Sequence, residues 1–182
     1  TWIAVQRDSS YFARNNWGGR IKDDQGRYVF DSPANNATAH YLHNMLYLLG
    51  DATDRAAMPT AVTGECYRGH KIENFDLTCC KIETDRDVDV FFYTTHCVQG
   101  GHGPYFHFQC DDALITRNDK GEVVAQFNDG REINYGVPDN DAEYKFRHCL
   151  ERCRADGDGG GSSSTICGPE AALAQTLCIN AL

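Results

Sequence analysis

The sequence predicts an α+β fold: an antiparallel β-meander sheet of five or more strands, an N-terminal helix packed on it, and a disulfide-bridged helical C-terminus. Three observations carry this expectation. Short β-branched and aromatic runs separated by Asn, Asp and Gly turns fill the middle of the chain, a pattern that favours pairing between sequence neighbours. An amphipathic helical stripe precedes them. All nine cysteines lie after position 65, at Cys66, Cys79, Cys80, Cys97, Cys110, Cys149, Cys153, Cys167 and Cys178.

Trp2 to Val5 reads as a strand, and Arg20 to Phe30 as a hairpin turning at Asp23-Asp24-Gln25-Gly26. Ser32 can cap a helix that begins at Pro33, where the missing donor costs nothing. Leu42, Met45, Leu46 and Leu49 then form one apolar stripe, and Gly50 ends it. A loop is expected around Met58 to Gly64. Strands are expected in Asp87 to Val98, Pro104 to Cys110, Ala113 to Arg117, Glu122 to Phe127 and Arg131 to Val137. From Asp141, the residues Ala142, Phe146, Cys149, Leu150 and Cys153 fall on one helical face, which would turn both cysteines inward. Asp156 to Thr165 is a Gly- and Ser-rich connector, and Pro169 to Leu177 a last short helix.

At 182 residues the chain is expected to be a single secreted, disulfide-stabilised domain spanning 1–182, with 41% hydrophobic residues enough for a true core. The net charge of −9, from 26 acidic and 17 basic residues, argues against nucleic acid as a partner. No apolar run is long enough for membrane insertion. The cysteine count reads as four bridges and one odd thiol, which could link two copies into a dimer; bridges persist in oxidising compartments, so a secreted, extracellular location follows. The start at Thr1 lacks a signal-peptide pattern, so a secreted chain would already be mature. Asn36-Ala37-Thr38 is a glycosylation sequon, with Asn36 as the acceptor.

The candidate site lies on a hairpin around Gly100–Gly103. Taking those four residues as its loop sets His96 opposite His107, Thr94 opposite Gln109 and Val98 opposite Tyr105, with Phe92 beyond. Imidazoles opposed on one sheet face lie about 5 Å apart and could divide general acid and base roles or chelate one ion. Phe92, Thr94, Tyr105, Gln109 and the loop-tip His102 would line a ligand-binding face; His40 and His43 lie off the helix stripe, and His70 and His148 read as surface residues. No cofactor is expected, and no metal ligand set is assigned: the chain has no CxxC pair, no HExxH helix, no GxSxG elbow and no phosphate-binding glycine loop.

In composition the chain resembles secreted cysteine-rich proteins of fungi and other eukaryotic pathogens. That implies a virulence-associated effector or toxin-like glycoprotein binding a host protein or glycan. The alternatives are a small secreted hydrolase or lyase using His96 and His107, and a metal-binding protein using the same histidines.

Overall fold

The computed structural model describes residues 1–139, 142–157 and 166–182. It divides into two compact units, Thr1–Tyr105 with Pro169–Leu182, and Phe106–Gly168.

The first unit contains β1 (Trp2–Val5), α1 (Ser9–Phe12), a 3-10 turn (Pro33–Asn35), α2 (Ala39–Leu48), β2 (Pro59–Tyr67), β3 (Leu77–Thr84), β4 (Asp89–Thr95), β5 (Gly101–Tyr105) and α4 (Pro169–Ala181). Its sheet runs β2-β3-β4-β1-β5. β1 lies parallel to β4, with Trp2 beside Tyr93, and antiparallel to β5. The sheet is therefore mixed, and the expected meander is corrected. The strand after β4 does not fold back on it, because β1 already occupies that edge. The hairpin register that set His96 against His107 and Thr94 against Gln109 consequently does not form.

Alternation decides which face is buried. On β4, Val90, Phe92 and Thr94 point inward and Phe91 and Tyr93 outward. On β3, Thr78, Cys80, Ile82 and Thr84 are the inward set. Leu42, Met45 and Leu46 of α2 meet them, as the apolar stripe predicted, joined by Ala174, Cys178 and Ile179 of α4. Ser32 does cap, accepting from the Asn35 N–H, but it caps the 3-10 turn, and the α-helix begins only at Ala39. Phe92 and Thr94, expected on a ligand face, belong to this core. Phe92 is 0% exposed, and the Thr94 hydroxyl bonds the Thr38 hydroxyl at 3.0 Å.

The second unit holds β6 (His107–Gln109), β7 (Ala113–Arg117), β8 (Val123–Phe127), β9 (Glu132–Gly136) and α3 (Ala142–Gly157). Its sheet is an antiparallel meander in chain order, with the predicted turns at Asn118–Gly121 and Asn128–Gly130. His107 pairs with Thr116 and Gln109 with Leu114. The face of α3 expected to be buried is exposed, including Phe146, Cys149, Leu150 and Cys153. Most of the predicted Asp156 to Thr165 connector, residues 158–165, lies outside the described residues.

The disulfide framework is also corrected: no disulfide is present among the described residues. Register explains the β2–β3 group, since Cys66 faces Thr78, Cys79 faces Glu65 and Cys80 faces Gly64, so no cysteine opposes another. Cys80 and Cys178 are buried in the core, where a thiol packs as a small hydrophobe. Burial pushes them up to about 12 and about 11. Titration of the denatured, unreduced protein is expected to count nine thiols, and in the folded protein Cys80 and Cys178 should react last. A count of one would restore the bridges.

Candidate active site

Topology gathers the chemistry at one sheet edge. Because β1 and β4 are parallel, the segments leaving their C-terminal ends, Gln6–Ser9 and His96–Gln99, emerge side by side. β3 is antiparallel to β4, with Leu77 beside Thr95, so the loop 68–76 that feeds it arrives at the same edge.

His96 ties these segments together. Its backbone N–H donates to the Asp76 carbonyl at 2.8 Å, its carbonyl accepts from the Arg7 N–H, and its ring Nδ1 sits 2.7 Å from the Val5 carbonyl. A carbonyl can only accept, so Nδ1 carries the proton and Nε2 keeps its lone pair. The residue is 2% exposed. Burial lowers the imidazole from its usual range, outweighing the bond to Val5, and so holds the ring neutral.

Beside it, fully buried Asp76 accepts from the backbone N–H of Gly69 at 2.7 Å and of His70 at 2.8 Å, and lies 2.7 Å from His70 Nδ1. Burial pushes this carboxyl up, but those bonds, with one from Cys97, together hold it below the ordinary carboxylate range. Cys97 Sγ lies 3.8 Å from the same Nδ1. A β-carbon on Gly69 would stand only 2.5 Å from that sulfur, so only glycine permits this approach. Burial, and then Asp76, raise the Cys97 thiol.

A cleft of about 460 Å³ opens beside Arg7, Ser9, His70, His96 and Cys97. A second, of about 570 Å³, shares Ser9 and His70 and adds Phe12, Arg20 and Lys71. Cationic groups collect here although the chain is acidic. The Arg14 guanidinium lies 3.4 Å from the centre of the Tyr11 ring, and that of Arg7 lies 4.5 Å from it. Arg7 Nε is buried without a hydrogen-bond partner. The Tyr11 hydroxyl accepts from the Asn36 side-chain amide at 3.1 Å, and the same nitrogen donates to Asp31 at 2.7 Å. The atom that would carry a glycan at Asn36 is thus engaged inside the unit.

Of the expected catalytic and ligand-binding residues, only His96 stands in this cleft, beside Cys97, which was expected in a bridge. His102 and Tyr105 are exposed on β5 and both stack with Trp2. Gln109 is exposed on β6. His40 is exposed on the first turn of α2. Sequence reasoning missed His70, Asp76 and Arg7.

No protein-family model and no curated protein matches the sequence. Solved structures do match. An oxidoreductase from Thermotoga maritima aligns at TM-score 0.64 and 15% identity, over 99% of this chain and 50% of its own. One from Agrobacterium radiobacter, in complex with NAD+, L-tartaric acid and magnesium, aligns at 0.62 and 11%, over 98% and 52%. The WlbA dehydrogenase from Bordetella pertussis, in complex with NADH and UDP-GlcNAcA, aligns at 0.57 and 14%, over 97% and 49%. The chain shares their fold and spans about half their length. These findings, with the lack of disulfides among the described residues, overturn the secreted effector or toxin, its hydrolase and His96/His107 metal alternatives, the disulfide-linked dimer, and a host protein or glycan as partner.

The chain itself does not fit a dinucleotide. It has no G-x-G-x-x-G turn, and among the described residues a single parallel strand pair in a mostly antiparallel sheet does not make the doubly wound parallel sheet that cradles a pyrophosphate. No residue here is assigned to that group.

Proposed function

We propose that this chain forms the substrate-binding half of a nicotinamide-nucleotide-dependent oxidoreductase, acting on a small hydroxylated substrate that bears an anionic group. The observation that carries the reading is a fold likeness spanning nearly the whole chain to about half of each of several oxidoreductases. The nucleotide belongs to the other half of such an enzyme. The contribution of this half is to bind the substrate and move its hydroxyl proton.

The anionic preference follows from the cleft. The Arg7 side chain lines the cleft, and Arg20 and Lys71 line the neighbouring cleft. A guanidinium recognises carboxylate or phosphate through charge-assisted bonds. One imidazole of this unit suits proton transfer, His96, by its free Nε2 lone pair beside the cleft.

The test is NAD(P)+ reduction, followed by absorbance, across a panel of hydroxy acids and nucleotide sugars, using the intact gene product. Turnover of an anionic member is expected. Arg7→Ala should raise KM for it at least tenfold with a smaller change in kcat. Replacing His96 by Ala should lower kcat by about 10²–10⁴-fold with KM little changed. No turnover of any panel member with either nucleotide would overturn the reading.

A further inference from the structure

We propose that His70, Asp76 and Cys97 form a three-ligand site for a zinc-class divalent ion, with its fourth position open to the cleft beside them. One donor atom from each lies within 4.8 Å of the others. They bring imidazole nitrogen, carboxylate oxygen and sulfur, a mixed set that suits Zn²⁺ or Co²⁺ and disfavours Mg²⁺ and Ca²⁺. Around one tetrahedral zinc, nitrogen and oxygen ligands would stand about 3.3 Å apart and nitrogen and sulfur about 3.6 Å. The observed separations are 2.7 Å and 3.8 Å. Side-chain rotations of a few tenths of an ångström close the difference.

The alternative chemistry for such a trio is a thiol nucleophile activated by a histidine and an acid. The geometry opposes it. A relay needs the thiol at one ring nitrogen and the carboxylate at the other. Here Cys97 Sγ and Asp76 both address Nδ1. The Cys97 thiol donates to Asp76, so imidazole nitrogen, carboxylate oxygen and sulfur converge on one point, as ligands around a shared ion would.

The surroundings are built for a fixed site. Asp76 is already oriented by two backbone amides, which is the support that holds a ligating carboxylate in place. Gly69 gives Cys97 the room to approach. Three protein ligands with a cleft alongside correspond to a site that keeps one position for water or substrate. Binding balances simply: Cys97 gives up its thiol proton to solvent, the His70 ring proton moves from Nδ1 to Nε2, and the ion exchanges three waters for three protein atoms.

The site goes beyond the oxidoreductase reading, and its test reads metal rather than turnover, so either can fail alone. Untagged, reduced and chelator-stripped protein is titrated with Co²⁺. One equivalent should produce a thiolate-to-cobalt charge-transfer band, removed by Zn²⁺ and untouched by Mg²⁺. Cys97→Ser should abolish the band, and His70→Asn should weaken Co²⁺ at least tenfold, both with unchanged far-ultraviolet dichroism. Cys149→Ser/Cys153→Ser should leave the band intact. If Cys97→Ser does not fold, Cys97→Ala with the same titration replaces it. Absence of the band in the unaltered protein, its survival without Cys97, or its loss only with Cys149 and Cys153 would each overturn the site.

Discussion

Replacing Phe92 by Ala is expected to remove about 3–5 kcal/mol of folding stability, read as a lower urea midpoint at unchanged slope. The ring is 0% exposed, on the inward set of β4, within a cluster that includes Leu42, Leu46, Ile82 and Cys178. Truncation therefore leaves a cavity walled by two helices and a sheet. The same experiment separates this placement from the ligand-face reading of the sequence. A surface contact would change stability by less than about 0.5 kcal/mol while weakening a ligand.

Asp76→Ala should cost about 2–4 kcal/mol, since a donor stripped of its buried acceptor loses about 1–3 kcal/mol and Asp76 serves four, the Gly69 and His70 amides, the His70 ring and the Cys97 thiol. The Gly69 and His70 amides are partly accessible, which keeps the total below the sum. Hydrogen exchange should report the loss locally, with both amides losing protection before those of β3 and β4. Asp76→Asn retains acceptor capacity on one oxygen and should lose less. A melting temperature unchanged in Asp76→Ala would show that the loop is held by something other than this carboxylate.

What could be read from the sequence was local. The strand Trp2–Val5, the α2 stripe through Leu42, Met45 and Leu46, the turns of the second unit and the final helix all follow from periodicity and turn chemistry within a dozen residues. β2 reads as a loop up to Gly64 because its side chains are largely exposed and supply no apolar alternation. β3 hid for a related reason: Thr78, Cys80 and Thr84 face the core, so polar and sulfur-bearing residues sit where the pattern expects aliphatic ones. The insertion of β1 beside β4 joins residues some 90 positions apart, and no local signal encodes it. That pairing also builds the site. His70, Asp76, His96 and Cys97 come from separate segments, and none carries a motif. The cysteine count misled because a thiol can be an apolar filler, as at Cys80 and Cys178, as readily as half of a bridge.

The order of the two units along the chain has a consequence for biosynthesis. α4 completes the core of the first unit, yet it is encoded after the whole of the second. On the ribosome, at about 5–20 residues per second, the apolar side of β3 and β4 waits several seconds for Ala174, Cys178 and Ile179 to emerge. During that interval the nascent polypeptide presents Cys80, Ile82 and Phe92 incompletely covered, which makes this stretch of translation the point at which chaperone capture or aggregation competes with correct closure.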